Sequence, residues 1–100
     1  MTQQEELNKF HALVADLESG KVRVAEKIDG EWKVNAWVKE TILSGFRLGN
    51  LTDMSQGQFS FFDKDTIPAQ RFTAENRVRI VPGGSSVRCG AYLAPSVIMM

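Results

Sequence analysis

The stretch VRCGAYLAPSVIMM, Val87–Met100, decides how the rest of the chain is read. Val87, Leu93 and Met99 stand six residues apart, and so do Ala91 and Val97, each four residues after an aliphatic position. Two small residues, Gly90 and Ser96, come just before them. An aliphatic-then-small period of six is the pattern of a left-handed parallel β-helix. Each hexad there forms one flat side of a triangular coil, the aliphatic residue points inward and the small residue fits the corner. Two hexads are equally compatible with an ordinary pair of buried strands. A solenoid needs about three repeats to bury its interior. The segment stops at Met99-Met100 without a polar tail or cap, which leaves an unpaired edge. The expectation is therefore a coil whose further hexads lie beyond Met100.

Upstream, Arg77-Val78-Arg79-Ile80-Val81 alternates as a strand does, and Pro82-Gly83-Gly84 breaks it. Pro82–Ser86 lacks the lysine and the helix start of a phosphate-binding loop, so it reads as the connector from strand to coil. Between Asn50 and Gln70 no period holds, and the stretch reads as irregular connection. Phe59, Phe61 and Phe62 are the exception, because leaving a large apolar side chain in water forgoes about 1.5–3 kcal/mol. Connections of such length in small domains usually serve function or an interface.

The N-terminal half has stronger local signals. Thr2-Gln3-Gln4-Glu5 fits a capping box, and Leu7, Phe10, Leu13, Val14 and Leu17 form one helical stripe that Gly20 ends. Val22, Val24 and Ile28 then share one strand parity, with Lys21, Arg23 and Lys27 on the other and Glu26 on the apolar side. Asp29-Gly30 predicts a tight hairpin turn into Glu31–Val34, since both turn positions need positive φ. Asn35 is the expected cap of a second helix carrying Trp37, Val38, Ile42 and Phe46 and ending near Gly49. Trp32 and Trp37 are expected in the core. The fold class is thus α+β: a helix, a β-hairpin and a helix in an N-terminal domain with its connector over residues 1–70, then a strand and the first coil of a left-handed β-helix over 71–100.

Composition bounds the function. One hundred residues make one small domain. Lys plus Arg equals Asp plus Glu at 12 each, which gives no charge excess for a nucleic acid to read. The single cysteine, Cys89, cannot form an internal disulfide, so a reducing compartment is the default. The start MTQQEELNKF has neither the basic nor the apolar region of a secretory signal. No run approaches the roughly 18 apolar residues of a membrane span. The expected location is the cytoplasm.

Three segments carry a family resemblance: GKVRVAEKIDGEWKVNAWVKETILSGFRL from Gly20, FFDK at Phe61–Lys64, and VRIVPGGSSVRCGAYLAPSVIMM from Val78. They resemble the N-terminal part of the tetrahydrodipicolinate N-succinyltransferases. The most specific parts are RVAEKIDGEW at Arg23–Trp32 and VRCGAYLAPSVIMM; the first helix and Leu51–Phe59 are less similar. The resemblance implies an acyltransferase of lysine and diaminopimelate biosynthesis that moves succinyl from succinyl-CoA to the amine of a dicarboxylic substrate. It implies a homotrimer of left-handed β-helices with active sites between neighbours, succinyl-CoA as co-substrate, and no metal, nucleic-acid or membrane partner. The hundred residues alone are expected to be inactive.

The resemblance also implies that Arg79, in Val78-Arg79-Ile80-Val81-Pro82, binds a substrate carboxylate, a task its planar guanidinium suits. Read from alternation alone, Arg77 and Arg79 are the solvent face of a strand. Asp63-Lys64 reads as a solvated turn beside a buried Phe-Phe pair, and Arg47 as a cation at a helix C-terminus. His11 has no acid or thiol partner at ligand or triad spacing, so it is a surface histidine. Cys89 has no visible base and reads as packed rather than nucleophilic. No catalytic, cofactor or metal residue is assigned. The competing reading is a small non-catalytic interaction module anchored by Phe59–Phe62.

Overall fold

The computed structural model describes all residues, Met1–Met100. Helix α1 spans Gln3–Glu18 and helix α2 spans Ala36–Leu48. Strands β1 (Ala25–Ile28) and β2 (Glu31–Val34) form one antiparallel hairpin, and β3 (Leu51–Asp53) and β4 (Phe62–Lys64) form a second. Strands β5 (Arg79–Ile80) and β6 (Ile98–Met99) pair in parallel, after a short 3-10 turn at Ala74–Asn76. The architecture is a small α+β domain.

Local chemistry sets the helix starts. The Thr2 hydroxyl accepts from the Glu5 amide at 3.1 Å, which satisfies one of the free N–H groups of α1. The Glu5 carboxylate, however, accepts from the Thr2 hydroxyl rather than from its backbone. Asn35 precedes α2 as expected but does not cap it with its side chain. Its amide instead donates to Arg23 O at 2.7 Å and to Glu26 Oε1 at 3.2 Å, tying the helix start to the hairpin.

The core lies between the helices. Phe10 and Leu13 of α1 and Val38, Thr41 and Gly45 of α2 are buried, joined by Thr66, Ile67 and Val87. Val38, Thr41 and Gly45 follow helical spacing, so the buried stripe of α2 is rotated from the expected one. Trp37 and Phe46 face out, and Ile42 is only half-buried. Gly45 lets the helices approach: a Cβ there would overlap the Phe10 ring. Arg47 stands in the last turn of α2, as expected, and also pairs with Glu6 across the two helices.

The Asp-Gly turn forms as expected, with φ of 51° at Asp29 and 81° at Gly30. The two-residue turn has a consequence that alternation along each strand did not show. Its register pairs Ala25 with Val34 and Lys27 with Trp32, so those four share one face; Glu26, Ile28, Glu31 and Lys33 share the other. Ile28 therefore falls on the face opposite Trp32 and Val34. Trp32 is 71% exposed and Val34 72%, so the expectation of two core tryptophans is wrong.

Asn50–Gln70 is also more ordered than the sequence suggested. The antiparallel register of β3 and β4 sets Leu51 opposite Lys64 and Asp53 opposite Phe62. This hairpin closes the end of α2: Thr66 Oγ1 donates to Gly45 O at 2.5 Å and Lys64 Nζ to Gly49 O at 3.2 Å. A cation and a hydroxyl on the last carbonyls are the favourable partners of a helix C-terminus. Lys64 is thus a structural contact and not part of a solvated turn. Phe59, Phe61 and Phe62 stay largely exposed, the first two stacked with centroids 6.4 Å apart.

Residues 82–100 carry left-handed positions six residues apart: Gly84, Gly90 and Ser96 at φ of 105°, 90° and 77°. Turns at Arg88–Ala91 and Ala94–Val97 are closed by Ala91 N donating to Arg88 O (3.4 Å) and Val97 N donating to Ala94 O (3.2 Å). Positive φ at the third residue, with Pro95 second in the later turn, is the signature of a type II turn. Val87 is buried and Leu93 and Met99 are half-buried, whereas Ile98 and Met100 are exposed. Arg79 pairs with Ile98 and Ile80 with Met99, a parallel step of nineteen residues.

The body is a plate of 44 × 36 × 20 Å, two helix diameters thick, and only 9 of its 100 residues are buried.

Candidate functional site

Two concavities flank the segment Pro68–Arg71. The smaller lies against α1, where His11, Glu18, Asp65, Arg71 and Cys89 reach its wall. The first turn of the 87–100 segment docks there on the end of α1. Glu18 Oε2 accepts from the Gly90 amide at 2.9 Å, Tyr92 packs over Gly20, and the Arg23 guanidinium sits 5.5 Å from the Tyr92 ring centre. The larger is an open groove between the aromatic loop Phe59–Phe62 and the segment Val78–Arg88. Val78 and Ile80 line it, and Arg88 at its rim pairs with Asp63 at 3.3 Å.

Arg79 lies outside both concavities. Val78, Ile80 and Val81 around it line the larger groove, whereas Arg79 itself lines neither and is exposed on β5. The Arg79 amide donates to Val97 O at 3.0 Å, which fixes the backbone, and the guanidinium has no ion-pair partner. Arg77 adopts φ of 57° and donates to Ser96 Oγ at 3.4 Å, which ties it to a turn. Arg71, which reaches both concavities, was passed over in the sequence because the run Gln70–Thr73 has no periodicity.

His11 is exposed and lies edge-on to Phe10, centroids 5.6 Å apart, with no hydrogen-bond partner. Cys89 Sγ donates to Thr66 O at 3.7 Å. Partial burial pushes the Cys89 thiol above its ordinary pKa, Glu18 adds to the rise, and Arg88 opposes it. The thiol is thus favoured over the thiolate, which suits packing and not nucleophilic chemistry. At mildly alkaline pH, iodoacetamide is expected to alkylate Cys89 several-fold more slowly in the folded protein than in urea. Equal rates would show an ordinary, freely ionising thiol. No group of three or more His, Cys, Asp or Glu side chains is arranged to hold a metal ion. No helix is long and apolar enough to cross a membrane.

Comparison with known proteins gives the arrangement a context. Residues 1–48 match the family described as tetrahydrodipicolinate N-succinyltransferase N-terminal. Curated relatives named 2,3,4,5-tetrahydropyridine-2,6-dicarboxylate N-succinyltransferase match over most of the chain. The one from Nitrosococcus oceani is 43% identical over 84% of this chain and 32% of its own length. The Ehrlichia ruminantium protein is 43% identical over 79% of this chain and 31% of its own. That of Legionella pneumophila is 37% identical over 94% of this chain and 35% of its own. The chain thus spans about a third of the length of the curated relatives it matches.

Proposed function

We propose that the chain is the N-terminal part of a tetrahydrodipicolinate N-succinyltransferase, an enzyme that succinylates tetrahydrodipicolinate in lysine and diaminopimelate biosynthesis. The observation that carries this reading is identity of 37–43% over 79–94% of the chain to three relatives bearing one name. In the reaction, the amine of the ring-opened dicarboxylate attacks the thioester carbonyl of succinyl-CoA. A C–N bond forms, the C–S bond breaks, and CoA leaves as the thiol with the amine's proton. Such direct transfer depends on positioning and on stabilising the developing oxyanion.

Residues 71–100 begin a left-handed parallel β-helix, and the N-terminal domain with its connector is residues 1–70. Support comes from the six-residue recurrence of left-handed turns at Gly84, Gly90 and Ser96, and from a parallel step of nineteen residues, close to three hexads. The same turns give a solenoid its corners. Assembly is a homotrimer in the cytoplasm, where the lone Cys89 stays reduced.

Arg79 grips a substrate carboxylate. Its exposure on β5 without an internal anion leaves both ends of the guanidinium fork free. The test uses the protein in its own reading frame, following thiol release from succinyl-CoA with and without tetrahydrodipicolinate. Release that depends on the dicarboxylate is expected; none with either succinyl-CoA or acetyl-CoA overturns the reading. Arg79→Lys keeps the charge but loses the fork, and is expected to lower kcat/KM roughly tenfold or more. An unchanged kcat/KM would remove Arg79 from the site.

A further inference from the structure

In a solenoid each repeat packs only on its neighbours, so the first coil has one side that no repeat covers and needs a cap of another kind. Two left-handed corners of the closing segment differ in how their polar groups are met. At the Ser96 corner the partner is Arg77, five residues upstream of Pro82 in the same segment: Ser96 N donates to Arg77 O at 2.6 Å and the Arg77 guanidinium donates to Ser96 Oγ at 3.4 Å. At the Gly90 corner the partners come from residues 1–70. Gly90 N donates to Glu18 Oε2 at 2.9 Å, 72 positions away in sequence, and Cys89 N donates to Pro68 O at 2.8 Å. The Gln70 side-chain amide donates to Arg88 O at 3.1 Å and to Ala91 O at 2.8 Å, spanning a corner whose own closing bond is long, 3.4 Å from Ala91 N to Arg88 O. Gln70 N donates to Val87 O at 2.7 Å.

The direction of the pairing differs as well. Strands β5 and β6 pair in parallel, as successive coils of a parallel solenoid do, whereas Ala69 bridges Arg88 in antiparallel fashion. An antiparallel neighbour is not a preceding coil, and it occupies the edge on which one would add. We infer that Glu18 and Pro68–Gln70 are the N-terminal cap of the solenoid, ending the stack and holding its first corner in register. Such an edge left bare is a template for unwanted pairing. A carboxylate on a backbone amide is also among the strong hydrogen bonds, about twice a neutral one. This inference rests on the reading of residues 71–100 as the start of a β-helix, and it assigns Glu18 and Gln70 as positioning residues with no part in the acyl transfer itself.

The test is amide hydrogen exchange at fixed pH on the protein in its own reading frame, resolved by overlapping peptides across Val87–Tyr92 and across α1. In Glu18→Ala the Gly90 amide is expected to exchange about tenfold faster or more, as loss of a bond to a charged group implies, while the middle of α1 keeps its native rates. Glu18→Gln keeps an acceptor and is expected to restore part of the protection. Gln70→Ala is expected to quicken exchange over the same corner and not at the Ser96 corner. Unchanged exchange at Gly90 in Glu18→Ala overturns the cap, and so does acceleration spread evenly over α1 and both corners. Hexad coils present in a crystal structure of the protein, with Gly90 exchange indifferent to Glu18, would remove the cap and leave the β-helix reading standing.

Discussion

Gly45→Ala is expected to destabilise the fold by about 1–3 kcal/mol, although the same change in an open helix would gain roughly 1 kcal/mol. The added methyl would overlap the ring of Phe10, which is 2% exposed and among the largest side chains fully buried. The ring has little room to move, because it is held between α1 and α2. Phe10→Ala alone should cost about 3–5 kcal/mol, a large share of the whole stability of a small domain. In the Phe10→Ala background the overlap disappears and only helix propensity remains. Gly45→Ala should then change sign and stabilise by up to roughly 1 kcal/mol. Urea unfolding of the four members of this cycle measures it. A stabilising Gly45→Ala in the native background would show that the helices do not meet at Gly45.

The second large effect concerns the turns. Gly90 has φ of 90°, and any L-residue there is strained. Gly90→Val is expected to cost about 2–3 kcal/mol, because a β-branched residue tolerates that region least. Ser96 has φ of 77°, so the expectation at that position is reversed. Ser96→Gly should stabilise, by roughly 1 kcal/mol, since it relieves a left-handed residue that bears a side chain. Opposite signs at two positions six residues apart are hard to obtain unless both are corners of one repeating path. Thermal unfolding decides between the outcomes: equal, small effects at both sites would mean that the turns do not share a geometry.

The elements that were legible in the sequence are those fixed by neighbours in the chain. Thr2, the stripe from Leu7 to Leu17 and Asp29-Gly30 each act within a few positions: Thr2 caps α1, the stripe buries Phe10 and Leu13, and the turn closes the hairpin, while Gly90 and Ser96 take left-handed turn positions. What was not legible depends on register across the chain. Leu51–Asp53 and Phe62–Lys64 are too short to display alternation, and only their pairing makes them strands. Trp32 looked like core because its strand alternates correctly. The two-residue turn then set it on the face opposite Ile28, where it stays exposed. Trp37 followed the same logic on α2, where Val38, Thr41 and Gly45 took the inner face. Alternation read Arg79 as a solvent-facing residue and the structure leaves it exposed, while the carboxylate proposed for it came from resemblance and awaits the kinetic test.

A body only 20 Å thick, with so few residues sealed from water, keeps most of its apolar groups within one layer of the surface. Its melting temperature should then be a property of the company it keeps. If it assembles as the proposed homotrimer, dilution, which leaves a thick monomeric globule untouched, should lower the midpoint of this plate by mass action, and concentrating it should raise the midpoint again.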